Sequence, residues 1–283
     1  MAVIQWYPGH ISKAEKQLKE QLKLVDVVLE VRDARIPLAS HHPQLKQWIG
    51  NKPRLLVINR EDLIPETVKK QWQEWFESKG ERPFFTNAQT GKGVNALRRA
   101  ALSQGVMVNE RRRQRGMLPR PVRAVVVGFP NVGKSALINR LLQRRVVASA
   151  RRPGVTRQLQ WVRISEHLEL LDTPGVIPGR LDNQQDAVKL AICEDIGEAA
   201  YDNQVVAGHF VELLVKLGQE EILHQRYLLN PKGLTGEDYL HTLAYKRYKG
   251  DVERAARQLL QDFRTGVLGP ISLEYPPKLE VSL

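Results

Sequence analysis

A chain of 283 residues with 42% hydrophobic and 26% charged residues has the length of about two domains and the apolar content to build a core, which excludes wholesale disorder. No apolar run approaches the ~20 residues that cross a bilayer, the start Met1-Ala2-Val3-Ile4-Gln5-Trp6 lacks the pattern of a signal peptide, and the single Cys193 excludes an intrachain disulfide or a multi-cysteine zinc site, so a reduced, cytoplasmic chain without membrane contact is expected. The net charge of +12 is concentrated, because Arg111 to Arg163 holds 14 basic residues and no acid while the remainder holds 29 basic and 31 acidic ones. Such a block points to an anionic partner, nucleic acid before membrane, or to a solubilising surface.

In chain order, residues 12–23 carry Leu18 and Leu22 at helical spacing. Val25 to Val31 is an apolar, β-branched strand that runs out into Arg32-Asp33-Ala34-Arg35-Ile36-Pro37. A strand over 54–58, a helix over 66–79, a short strand over 83–86 and a helix over 93–104 follow. This alternation predicts a parallel sheet covered by helices. Residues 105–122, with Gly105, Gly116, Pro119, Pro121 and an arginine cluster, read as a mobile linker. A buried strand from Arg123 to Gly128, a helix over 134–143 and strands near 158–164 and 168–172 resume the pattern. After Pro178-Gly179 only helical patterns appear, over 183–199, 203–217, 236–248 and 251–264. The expected division is an α/β domain over 1–179 and a small all-α domain over 180–283.

Gly128-Phe129-Pro130-Asn131-Val132-Gly133-Lys134-Ser135 has the G-x-x-x-x-G-K-S spacing of a phosphate loop between a strand and a helix. Its glycines let backbone amides curl around a phosphate, and the amides of Val132, Gly133 and Ala136 belong to the same cradle. The following helix N-terminus adds its dipole, Lys134 reaches the β- and γ-phosphates, and Ser135 ligates Mg²⁺. Asp172-Thr173-Pro174-Gly175 closes a strand downstream, where an acid near Mg²⁺ and a glycine amide that senses the γ-phosphate are expected. Between them Thr156 is placed to complete the Mg²⁺ shell in the triphosphate state. The fold class predicted is therefore a P-loop NTPase domain with a mainly parallel sheet.

The base reader stands upstream. Asn59-Arg60-Glu61-Asp62 follows a strand, and no such motif occurs after Gly175. The Asp62 carboxylate would accept from the N1–H and exocyclic amine of guanine, a donor pair adenine lacks. Asn59 would bridge the base and the phosphate loop, and Arg60, where Lys is usual, would cover the base face. Thr86-Asn87-Ala88 follows the next strand, with the Ala88 amide aimed at guanine O6 and Asn87 standing where Ser is commoner. The resulting order is a circular permutation of the Ras-like one, which the proximity of domain termini allows.

These motifs, with Trp6-Tyr7-Pro8-Gly9-His10-Ile11-Ser12-Lys13-Ala14 and Arg32-Asp33-Ala34-Arg35-Ile36-Pro37, resemble the circularly permuted GTPases of the YlqF/RbgA type. The resemblance covers about residues 1–180 and implies GTP hydrolysis coupled to late large-subunit ribosome assembly, with rRNA contacts. Val176 follows Gly175, where a Ras-like enzyme has the water-orienting Gln, so slow intrinsic hydrolysis and stimulation by a partner are expected. A neutral His10 imidazole can orient water or can anchor the N-terminal segment; the resemblance implies the catalytic role. Asn131 resembles the asparagine of potassium-stimulated GTPases, which makes K⁺ a candidate second cation.

Arg111, Arg112, Arg113, Arg115, Arg120 and Arg123, with Arg144, Arg145, Arg151, Arg152 and Arg157, flank the switch loops in sequence, so RNA held by them would sense the nucleotide state. Tyr245-Lys246-Arg247-Tyr248-Lys249 either contacts RNA or packs into a helix bundle. A monomer that binds GTP or GDP and the large ribosomal subunit is the leading expectation. A non-catalytic RNA-binding nucleotide sensor and a GTPase acting on tRNA are the competing ones.

Overall fold

The structure is a computed structural model that describes residues 8–142, 160–173 and 183–278. Thr156, Gly175, Val176 and the arginines at 144, 145, 151, 152 and 157 lie outside the described residues.

Chain order runs α1 (Pro8–Leu24), β1 (Val27–Asp33), α2 (Leu45–Ile49), β2 (Arg54–Asn59), a 3₁₀ turn at Glu61–Leu63, α3 (Glu66–Ser78), β3 (Pro83–Thr86), α4 (Val94–Gln114), β4 (Val122–Val127), α5 (Lys134–Leu142), β5 (Gln160–Ser165) and β6 (Leu168–Asp172). The six strands form one sheet in the order β3-β2-β1-β4-β6-β5, parallel throughout except for the edge pair β5–β6. The inner strands β1 and β4 read as near-continuous apolar runs because helices cover both faces, and every residue of β1 is buried. Glu30 and Arg32 are buried there too. Burial pushes the Glu30 carboxyl up, but Arg32 and His41 beside it hold it below the usual carboxylate range. Arg32 Nε and Arg54 Nη1 lie 2.7 and 2.6 Å from its oxygens. Trp72 and Phe76 on the apolar stripe of α3 pack under β2 and β3 with Ile58 and Phe85.

Helix α4 runs ten residues further than the sequence pattern predicts. Gly105, read there as a breaker, lies against β4: a Cβ at this position would sit 2.1 Å from Val122 Cγ2. The glycine permits close packing inside a continuous helix, so only residues 115–121 are irregular, and Asn109 holds them by bonding both the amide and the carbonyl of Arg120 at 3.0 Å.

The C-terminal third is helical, with α6 (Gln184–Ile192), α7 (Asn203–Lys216), α8 (Glu221–Tyr227), α9 (Gly236–Arg247) and α10 (Val252–Arg264). Helix α6 stops seven residues before its predicted end, because Cys193 caps it and Glu194 turns left-handed at φ 64°. Helix α8 carries no long periodic stripe and escapes the sequence pattern. Helices α7 and α9 touch backbone to backbone: a Cβ on Gly236 would lie 2.2 Å from the Gly208 carbonyl oxygen. Tyr245 is exposed while Tyr248 packs partly against the core.

The helices and the sheet share one apolar cluster. After α10 the chain returns to the sheet. Ile271 N–H donates to the Leu63 carbonyl at 2.8 Å, and Leu273 N–H to Arg35 at 3.0 Å. The Glu274 carboxylate accepts from the amides of Leu38 and Ala39 and from Lys189. Among the described residues no helix is long and apolar enough to cross a membrane.

Candidate functional site

Parallel pairing puts the motif residues on one rim. Asp33, Asn59 and Thr86 are register partners across β1, β2 and β3. Val126 of β4 faces Asp172 of β6, and the Thr173 hydroxyl donates to the Val126 carbonyl at 2.6 Å, fixing the start of the D-T-P-G segment. All stand at the carboxyl ends of parallel strands, where open α/β sheets bind ligands.

The phosphate loop joins β4 to α5 on this rim. Gly133 has φ 101°, and a Cβ there would lie 2.2 Å from Asn59 Nδ2. At Gly128 a Cβ would lie 2.3 Å from the Val31 carbonyl oxygen. Neither position tolerates a side chain, since the loop closes directly on β1 and β2. Val132 is buried beneath it. Lys134 is buried as well, its ammonium donating to the carbonyls of Phe129 (2.7 Å) and Gly128 (3.2 Å) inside the curl of the loop. Ser135 and Ala136 occupy the first turn of α5, where the helix dipole favours an anion.

Asn59 joins this loop to the second half of the site. Its Nδ2 donates to the Val132 carbonyl at 2.9 Å, and its Oδ1 accepts from the Thr86 hydroxyl and the Ala88 amide, both at 3.1 Å. The Asn87 side chain accepts from the amides of Gln89 and Thr90, so it shapes the turn below Ala88. Asp62 is exposed in the 3₁₀ turn, while its neighbour Glu61 is buried and ion-paired with Lys69 and Lys92.

Two side chains depart from their expected roles. Arg60, in a left-handed conformation at φ 64°, does not lay its head over a base face. Its guanidinium is held by the buried Asp33 carboxylate at 2.7 Å and by the Asn131 carbonyl of the phosphate loop. Only its aliphatic stem is left to flank a base. Asn131, at φ 57°, turns its amide to the Glu194 carbonyl at the end of α6, 2.7 Å away, so its Nδ2 braces the helical third. The residues expected near Mg²⁺ are separated by what the structure describes: Ser135 is placed, whereas Thr156 and the Asp172 side chain lie outside the described residues. His10 falls in the first turn of α1, its side chain also outside them.

The 50S ribosome-binding GTPase family matches residues 123–221, which include the phosphate loop and the D-T-P-G segment. Ribosome biogenesis GTPase A of Bacillus cereus is 37% identical, covering 97% of this chain and 94% of its own. The Bacillus pumilus protein of that name is 34% identical over 96% of this chain and 99% of its own. The GNP-bound structure of YlqF from T. maritima superposes with a TM-score of 0.63 at 25% identity, over 93% of this chain and 98% of that one. The chain belongs to the ribosome biogenesis GTPase A family.

As a member of that family it is a GTP-hydrolysing enzyme, and the permuted order of its motifs is explained by the sheet: β1, β2 and β3 precede the phosphate loop in sequence but share its rim in space. The sequence pattern missed the residues that tie this rim to the helical third. Asp33 is fully buried and accepts from Arg35 Nε and Nη2 at 2.9 and 2.7 Å as well as from Arg60. Burial pushes its carboxyl up, yet Arg35 and Arg60 hold it below the usual range. Asp195, also fully buried, lies 3.8 Å from Arg60, and neither of its oxygens has a hydrogen-bond partner. Burial and the nearby Asp33 charge push it well above the ordinary range. Asp33 bonds Arg35 and Arg60 directly, so of the two carboxyls it is Asp195 whose pKa is pushed up. Arg35 completes the junction through the Cys193 carbonyl at 3.2 Å. The Arg32-Asp33-Ala34-Arg35 string was the only sequence signal for this cluster.

The arginine cluster also falls elsewhere than its place in sequence suggests. Arg111 to Arg120 lead into the amino end of β4, whereas the phosphate loop leaves its carboxyl end. Six residues of strand separate the two by about 20 Å. These arginines therefore stand at the opposite pole of the sheet from the rim that carries the phosphate loop.

Proposed function

We propose that the protein is a guanine-nucleotide switch that docks on the rRNA of a large-subunit precursor in its GTP state, late in subunit maturation, and leaves after hydrolysis. Residues 1–179 carry the switch, and residues 180–283 form the helical domain that follows its state. The observation that supports this most is the Asn59 bridge, which ties the Val132 carbonyl of the phosphate loop to Thr86 and Ala88 of the clamp loop, with Asp62 exposed beside them. In this reading Asp62 accepts from the guanine N1–H and amine, the Ala88 amide turns from Asn59 to O6, and Lys134 exchanges loop carbonyls for phosphate oxygens.

Among the described residues no three His, Cys, Asp or Glu side chains form a metal cage. A Mg²⁺ bound with nucleotide needs none, since it keeps waters and phosphate oxygens and takes few protein ligands, and a hydroxyl at the second residue of α5 fits that pattern. Ser135, with Thr156 and Asp172, would hold it, and the ion would neutralise phosphate charge. A potassium ion would meet Asn131 through Oδ1, the side-chain atom not spent on Glu194. His10 orients the attacking water, and the Gly175 amide reports the γ-phosphate. The test is co-sedimentation of purified protein with large-subunit precursors in GDP or in a non-hydrolysable GTP analogue. Stronger retention with the analogue than with GDP is expected, and equal retention with both refutes the switch.

A further inference from the structure

A cavity of about 440 Å³ opens at the pole away from the nucleotide rim. It lies where the chain enters β1 and β2 and where α4 ends, and its cations are Lys52, Arg111, Arg112, Arg115 and Arg120. Asp26, the one acid in the lining, is already consumed: it accepts from both terminal nitrogens of Arg120 at 2.8 and 2.9 Å and from the Arg123 amide at 2.9 Å. Lys52, Arg111, Arg112 and Arg115 have no carboxylate within ion-pair reach among the described residues. Arg112 Nε donates to the Leu118 carbonyl, which fixes one guanidinium on the rim. The Asn109 bonds to Arg120 hold the opposite wall. Val25, Pro53, Met107 and Met117 supply apolar lining, and Leu118 beside them is 84% exposed. Helix-dipole compensation explains cations at the last turn of α4, but not their convergence with Lys52 from the turn before β2 around a cavity.

We infer that this cavity is an RNA-binding site that seats a nucleotide of a single-stranded or looped segment, the arginines taking its phosphates and the Met107–Met117 wall its base. The volume lies in the ~300–1,000 Å³ range of small-ligand sites. Three uncompensated arginines to one lysine suit paired bonding to phosphate and stacking on bases. Because β4 stands between the cavity and the phosphate loop, RNA held here is gripped equally in both nucleotide states. The site is thus a constant tether that accompanies the switched contact. It rests on the ribosomal reading for its physiological RNA, though not for the binding itself.

The probe is a fluorescein-labelled 12-nucleotide mixed-sequence RNA, titrated by anisotropy with the full-length protein loaded with GDP or with a non-hydrolysable GTP analogue. Arg111→Ala/Arg115→Ala removes two exposed side chains that touch neither the core nor the nucleotide rim. It is expected to weaken RNA binding at least tenfold, equally in both states, and to reduce the salt slope by about 1.4, at ~0.7 per phosphate for single strands. Lys70→Ala/Lys216→Ala, an equal loss of exposed charge elsewhere, is expected to leave binding within twofold. RNA binding within twofold for the first pair, or an equal loss for the second, overturns the inference. So does displacement of the RNA by polyglutamate as effectively as by unlabelled RNA, since the surface would then suit an acidic protein. Wild type that binds RNA through these arginines but fails to sediment with large-subunit particles sinks the ribosomal reading and leaves this site standing.

Discussion

Replacing Asn59 with Ala removes three hydrogen bonds from a side chain that is 2% exposed. The Val132 carbonyl loses its donor, and the Thr86 hydroxyl and Ala88 amide lose their acceptor. At a net 0.5–1.5 kcal/mol each, the loss is about 3 kcal/mol, with water entering at the rim to replace part of it. If most of that energy serves to hold the phosphate loop against the clamp, nucleotide affinity falls about a hundredfold, since ~1.4 kcal/mol is tenfold. The bridge touches the parts of the site shared by both nucleotides, so GDP and GTP weaken together. Asn59→Asp keeps an acceptor for Thr86 and Ala88 but buries a carboxylate against the Val132 carbonyl, so it recovers neither stability nor affinity. Fluorescent GDP and GTP analogues titrated alongside thermal melts separate the two effects. A normally melting Asn59→Ala that binds GDP within threefold of wild type refutes the reasoning.

Other consequences follow from the same rim. Asp62→Asn exchanges an acceptor for a donor and should shift preference from GTP to xanthosine triphosphate, whose base carries a carbonyl in place of the amine; competition binding reads this, and unchanged GTP preference removes Asp62 from base reading. Asp195 has a folded-state pKa above its unfolded value, so its contribution is favourable in acid and is lost as pH rises, at about 1.4 kcal/mol per pH unit until the folded group ionises. Asp195→Asn should therefore raise Tm over wild type, by a margin that grows as pH rises above about 4, and a constant or negative margin contradicts the upward shift. His42, whose imidazole burial and the adjacent His41 lower to about 4, is neutral in the folded protein. Stability should decline as pH falls from about 6.5 towards 4, and His42→Phe should flatten that part of the melting profile.

The motifs of the candidate nucleotide site were legible because the chemistry expected of them demands fixed residue types at fixed spacing on either side of strands. Gly128 to Ser135 and Asn59 to Asp62 declare themselves for that reason, and the register partners Asp33, Asn59 and Thr86 then realise the permuted order. What escaped were side-chain choices decided by distant residues. Arg60 turns from the base because Asp33 is buried beside it, and Asn131 turns away because Glu194 presents a carbonyl 63 positions later. No local pattern encodes either bond. Gly105 misled for a physical reason: glycine breaks helices in water, yet here its missing Cβ is what lets α4 lie on Val122. Charge counting located the basic segment along the chain but not its pole, which only the path of β4 reveals.

In the proposed function this rim is the motor of a switch run on large-subunit particles. The direct measurement is GTP turnover at fixed protein concentration with and without those particles, for wild type and Lys134→Ala. Slow turnover alone, a marked acceleration by large-subunit particles and none by small ones, and no turnover in Lys134→Ala under either condition are expected. Turnover that large-subunit particles leave unchanged would contradict that function.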